Sequence, residues 1–209
     1  MNEKKLNQKY FEAIRKQFSR KFNFEGKYDA HKDAAKYIRM SRGATQTSLY
    51  GLYPPHAEIN LLTDTSKLGE VVVDGKYIDF KYFFDGKDRV TMIDRYDPTS
   101  QYYDKRVGTI FVEHEKHREI NVLICKGRTE SITTVAKCKL DLYGRLIRYV
   151  ECTCGVDEYP YVYTVMRLKH NGGKVKITHS VYSVWQQGDE VKTSERKYVY
   201  KRGKLYEIT

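Results

Sequence analysis

HNGGKVKITHSVYSVW, residues 170–185, is the stretch from which the fold can be read. Asn171-Gly172 is a strong hairpin signal, because the tight turns that suit strand twist need positive φ, which glycine reaches without a Cβ penalty. After it, Val175, Ile177, His179, Val181, Ser183 and Trp185 alternate with Lys174, Lys176, Thr178 and Ser180. That period of two predicts a strand with one dry side.

Outward from this hairpin the same punctuation recurs at Asp74-Gly75, Asp85-Gly86, Lys126-Gly127, Tyr143-Gly144, Gly155, Gly188-Asp189 and Arg202-Gly203, and further turns are expected near Pro98-Thr99 and Glu115-Lys116. Between them Ile132, Thr134, Ala136, Cys138, Leu140 and Leu142 alternate against Lys137, Lys139 and Asp141. Turns so close together leave no room for the crossovers of parallel pairing. The predicted fold is therefore mainly β with one or two N-terminal helices: an antiparallel up-and-down meander from residue 67 to 209, of about eleven strands. A sheet of that size is expected to form a curved sheet, a half-barrel or a barrel.

Before the meander, residues 1–45 read as a basic helical segment and 46–66 as an aromatic loop. Leu6, Tyr10, Ile14 and Phe18 recur every four positions and predict an amphipathic helix over 3–22. A second helix is expected to begin at Asp29 as N-cap and to run through Tyr37 and Ile38 to Gly43. Tyr50 to His56 carries two prolines and no period, so an extended loop is expected there. Arg95 to Asp104 is read as the longest loop inside the sheet region.

The chain has 209 residues and a net charge of +11. Residues 1–45 hold 12 Lys or Arg against 5 Asp or Glu, leaving 26 against 22 in the rest. In a linear count the basic character is concentrated at the N-terminus, with the solvated back of a surface helix as its plainest explanation. No run of about 18 apolar residues exists, so no membrane-spanning helix is expected. Residues 1–21 have no apolar core of a secretory signal, and the four cysteines show no paired spacing; both point to a cytoplasmic protein.

Chemistry is sparse. No phosphate-binding glycine loop, nucleophile elbow or His-Glu-x-x-His is present, so no cofactor or metal is assigned and catalysis is unsupported. His114-Glu115-Lys116-His117 falls at an expected hairpin tip, where side chains diverge, and reads as solvated charge. His179 alternates with core-like positions and is the histidine to watch as a general base. Cys138 and Cys152 lie on opposite faces if Tyr143-Gly144 is a two-residue loop, and on one face if the loop has three.

Lys139 to Ile147 (KLDLYGRLI) and Tyr198 to Ile208 (YVYKRGKLYEI), with a looser echo at Tyr82 to Lys87, resemble the Tyr-Asp repeat hairpins of bacterial Rhs-type proteins. In general style the chain is also similar to bacterial toxin-immunity and accessory proteins. The resemblance implies a β-hairpin architecture and carries over no functional residue.

The abundance of Tyr, 19 in all, favours a non-enzymatic macromolecule-binding protein, such as an immunity, assembly or accessory factor with a protein partner. Two alternatives are a nucleic-acid-binding protein using the basic N-terminal helix and a carrier holding an apolar small ligand in the curved sheet. The candidate binding residues are Lys5, Lys9, Lys16, Arg20, Lys21, Tyr50, Tyr53, Tyr102 and Tyr103.

Overall fold

The computed structural model describes Ala13, Lys16 and residues 22–42, 70–73, 78–97, 105–126, 132–154, 160–172, 174–184, 190–201 and 204–207. Among the described residues a helix, α1 (Phe24–Ala34), precedes twelve strands: β1 (Tyr37–Arg42), β2 (Glu70–Val72), β3 (Phe80–Phe84), β4 (Val90–Tyr96), β5 (Arg106–His114), β6 (Glu119–Lys126), β7 (Ile132–Leu140), β8 (Leu146–Cys154), β9 (Pro160–Asn171), β10 (Lys174–Val184), β11 (Glu190–Lys201) and β12 (Lys204–Glu207). The strand order is β12-β11-β10-β9-β8-β7-β6-β5-β4-β3-β1-β2. From β3 to β12 every strand neighbours the next in sequence, which is the expected antiparallel meander. The order is linear, with β12 and β2 at its ends, and so the closed barrel among the expected alternatives is not formed.

The chain divides into two compact units, one of residues 22–115 and 122–132, the other of residues 1–21, 116–121 and 133–209. In the first, α1 covers one face of the sheet. Asn23 caps it, its side-chain oxygen accepting from the Gly26 N–H at 3.0 Å; Glu25 in the first turn and His31 and Lys32 in the last suit the helix dipole. Phe24, Tyr28 and His31 recur at helical spacing and meet the strands: Phe24 and His31 lie 5.7 and 5.2 Å from the Phe111 ring.

Two sequence expectations fail at this point. The helix starts at Phe24 rather than after Asp29, and it ends at Ala34 instead of running to Gly43. Tyr37 and Ile38 belong to β1, which inserts between β2 and β3. Pairing overrides helix propensity there: Tyr37 stacks on Phe84 at 4.7 Å, with the Arg39 guanidinium over both rings. Arg95 and Tyr96 likewise lie inside β4, paired with Gly108 and Arg106, and not in a loop.

Two hairpins, β3–β4 and β7–β8, close by the same device. Phe84 pairs with Val90 and Leu140 with Leu146, each across five residues that begin with Asp and end with Arg. The Asp85 Oδ1 accepts from the Lys87 and Arg89 N–H groups at 2.8 and 3.0 Å; Asp141 Oδ1 accepts from Tyr143 and Arg145 at 2.9 Å each. In both turns the second oxygen takes the guanidinium of that Arg (Nη2–Oδ2 2.7 Å). These bonds hold both carboxyls below the usual range, although desolvation opposes the shift. The left-handed position is Gly144 in one turn (φ 75°) and Asp88 in the other (φ 59°). Gly86 is therefore not the residue that needs positive φ, contrary to the reading of Asp85-Gly86 as the turn centre. At 171–174, by contrast, the expectation holds: Asn171 pairs with Lys174 and Gly172 has φ 55°.

Cys138 pairs with Tyr149 and Val135 with Cys152, which places Cys138 and Cys152 on opposite faces. The bulge between Lys139 and Leu140 restores the parity of a two-residue loop although the loop is longer.

Candidate functional site

Among the described residues, charged side chains gather around Asp94 in the first unit and across β7–β11 in the second. In the first, Asp94 of β4 has a side chain 0% exposed. The Tyr28 hydroxyl donates to its Oδ2 at 2.8 Å and the Thr109 hydroxyl to its Oδ1 at 2.8 Å, while Arg106 Nη1 lies 3.8 Å away. Burial holds the Asp94 carboxyl above the ordinary range; the two hydroxyl bonds and Arg106 pull it back only in part. The Tyr28 hydroxyl is raised by burial first and by the Asp94 charge second. Arg106 completes the cluster from above, its guanidinium 4.2 Å from the Tyr28 ring and 5.1 Å from Phe24. With Asp94 buried and Tyr28 and Arg106 half-buried over it, this cluster fastens α1 to β4 and β5.

In the second unit, pairing registers assemble a cationic face. Lys139 of β7 lies directly opposite Arg148 of β8, and Arg148 opposite Arg167 of β9. Arg167 pairs with Thr178 of β10, and Thr178 with Lys197 of β11. Two residues along, Lys169 lies opposite Lys176. Lys137 and Lys174 share the face by the period of two. Lys169, Lys174, Lys176 and Lys197 are exposed, and Lys137, Lys139, Arg148 and Arg167 half-buried.

The face changes character along the strands. Away from the β7–β8 turn, Arg148 gives way to Val150 and Cys152, both 0% exposed. The paired strands carry Val165, Tyr163 and Ser180 at the corresponding positions, all buried. The cations therefore occupy the end of the face near the 141–145 and 171–174 turns. Lys139 Nζ is paired with Glu119 at 2.8 Å and Lys197 Nζ with Glu195 at 3.6 Å.

On the other face of these strands the Tyr149 hydroxyl donates to Glu151. Burial raises the Glu151 carboxyl, which the tyrosine bond only partly offsets. His170 binds the Leu146 carbonyl at 2.7 Å, and His179, half-buried, pairs with Met166 and Arg196 in the ladder.

Of the sequence-predicted site residues, Lys16 is helical and exposed. Lys5, Lys9, Arg20, Lys21, Tyr50, Tyr53, Tyr102 and Tyr103 lie outside the described residues. His114 Nε2 donates to the Val90 carbonyl (2.9 Å) and His117 is exposed with φ 60°. Among the described residues no group of His, Cys, Asp and Glu is arranged to hold a metal ion, and no helix is long and apolar enough to cross a membrane.

Sequence reasoning missed the cationic face. Its signal was present in the alternating lysines of 137–139 and 174–176, which a linear charge count averages with every acid in the chain. No family model, curated protein or solved structure matches this chain.

Proposed function

We propose that the protein is a binding protein, not an enzyme, and that its partner is a polyanionic macromolecule seated on the cationic face of β7–β11. The observation that carries this is the direct opposition of like charges, Lys139 to Arg148 to Arg167 and Lys169 to Lys176. Like charges facing each other across strands destabilise a sheet, and soluble surfaces ordinarily intersperse the two signs. A partner that neutralises the array offsets that cost.

Its width argues for a macromolecule. Four interstrand steps from β7 to β11 span about 19 Å, too wide for one phosphate or carboxylate to engage. The reading keeps the macromolecule-binding class expected from the sequence and gives the partner a charge. Lys16 belongs to the same compact unit and adds to its positive charge.

The test is fluorescence anisotropy with a labelled oligonucleotide and, separately, polyglutamate. Affinity for at least one polyanion should fall steeply between about 50 and 200 mM salt, as counterion release requires. Absent or salt-insensitive binding to both would sink the proposal.

A further inference from the structure

We infer that the β7–β8 turn is a base-stacking platform and that the polyanion is a single-stranded nucleic acid, a conclusion that rests on the cationic-face reading above. Leu142 and Tyr143, at the tip of this turn, are 75% and 81% exposed. Turn tips are ordinarily polar, and the turn itself does not need this pair. The β3–β4 turn has the same Asp-to-Arg closure and places Gly86 and Lys87 at the corresponding positions.

The tyrosine is held ready. The Arg145 guanidinium lies 5.0 Å from the centroid of its ring. That guanidinium is fixed in turn by Asp141, at 2.8 Å from Nε and 2.7 Å from Nη2. Asp141 also accepts the Tyr143 N–H at 2.9 Å, so the backbone and the backing cation of the ring are pinned by one carboxylate. An aromatic ring with one face covered by a planar cation and the rest in solvent suits a flat, unpaired base.

Position completes the argument. The turn joins the two strands that carry Lys139 and Arg148, four residues from Tyr143 and Gly144 respectively, so that at most about 13 Å of chain separates them. A strand whose phosphates follow Lys139, Arg148 and Arg167 can place a base on Tyr143. Duplex bases, already stacked and paired, have no free face to offer.

The experiment measures anisotropy of labelled oligothymidylate and of a duplex of equal length, over a salt series, with the wild type, Tyr143→Ala and Tyr143→Trp. The single strand should bind the wild type more tightly than the duplex does. Tyr143→Ala should lose about tenfold in single-strand affinity while its duplex affinity and salt slope stay those of the wild type, and Tyr143→Trp should keep tight binding. A urea midpoint equal to that of the wild type confirms that Tyr143→Ala is folded, as substitution of so exposed a side chain predicts. If Tyr143→Ala binds the single strand as the wild type does, the platform is refuted and the cationic face stands. If the wild type binds neither oligonucleotide in a salt-dependent way, or binds only polyglutamate or phosphatidylserine vesicles, the nucleic-acid assignment fails with it.

Discussion

Lys176→Glu should make the protein more stable and a worse binder at the same time. Lys176 lies directly opposite Lys169 on β9, and both are exposed. The substitution turns a repulsive cross-strand pair into an attractive one. Opposite charges at such positions contribute about 0.2–1 kcal/mol, and relief of the repulsion adds a comparable amount before screening by salt. For a chain of this size each 1 kcal/mol raises Tm by about 2–4 °C. A rise of about 2 °C at low ionic strength, shrinking as salt is added, is expected in thermal denaturation followed by circular dichroism. Binding should move the other way. Losing one phosphate contact lowers the salt slope on a single strand by about 0.7, and the introduced carboxylate weakens Kd further, by about tenfold at low salt. A less stable variant would contradict the like-charge argument. An unchanged Kd would show that Lys176 does not face the partner.

Four more outcomes follow from the geometry. Burial raises the Asp94 carboxyl, so its favourable contribution is complete below the unfolded value of about 4 and is lost as pH rises through the folded one; urea midpoints of the wild type should decline over that window and those of Asp94→Asn should not. Tyr28→Phe removes a hydrogen bond to a buried charge and should cost about 1.5–3 kcal/mol in the same assay. Cys125 is pushed up to about 12 by burial from an ordinary value of 9.0, so its thiolate fraction near pH 8 is about a thousandth of that of a free thiol, and iodoacetamide should label it only after unfolding, as peptide mapping would show. Gly144→Ala meets no atom within 4 Å but holds φ 75°, and should cost about 1–2 kcal/mol of backbone strain, whereas Asp88→Gly at the equivalent position should be neutral or stabilising.

How far the sequence could be read depended on whether a feature is local. The Asn171-Gly172 hairpin and the alternation of 174–181 are set by neighbours in sequence, and the structure has them where the pattern puts them. Strand β1 was illegible because Asp29 to Ile38 carries acceptable helix formers, and only β3, some forty residues on, provides the ladder that makes Tyr37 and Ile38 extended. Asp88 was illegible because Gly86, two positions earlier, is the residue type that usually takes positive φ; the Asp-to-Arg spacing shared by 85–89 and 141–145 was the better marker. The cationic face emerges only from registers between strands. Arg148 and Arg167 are nineteen positions apart in the chain and adjacent in the sheet. The buried Asp94 was hidden for the same reason, since its partners come from α1 and β5.

The strands that terminate the order are also the shortest, β2 with three residues and β12 with four. A terminal strand is the natural seed for copy-on-copy growth, because its outward N–H and C=O groups can template an arriving chain. Among the described residues, stubs of this length hold few such groups, which limits templating at these borders. Lengthening β12 by redesign would remove that safeguard before it disturbed the core.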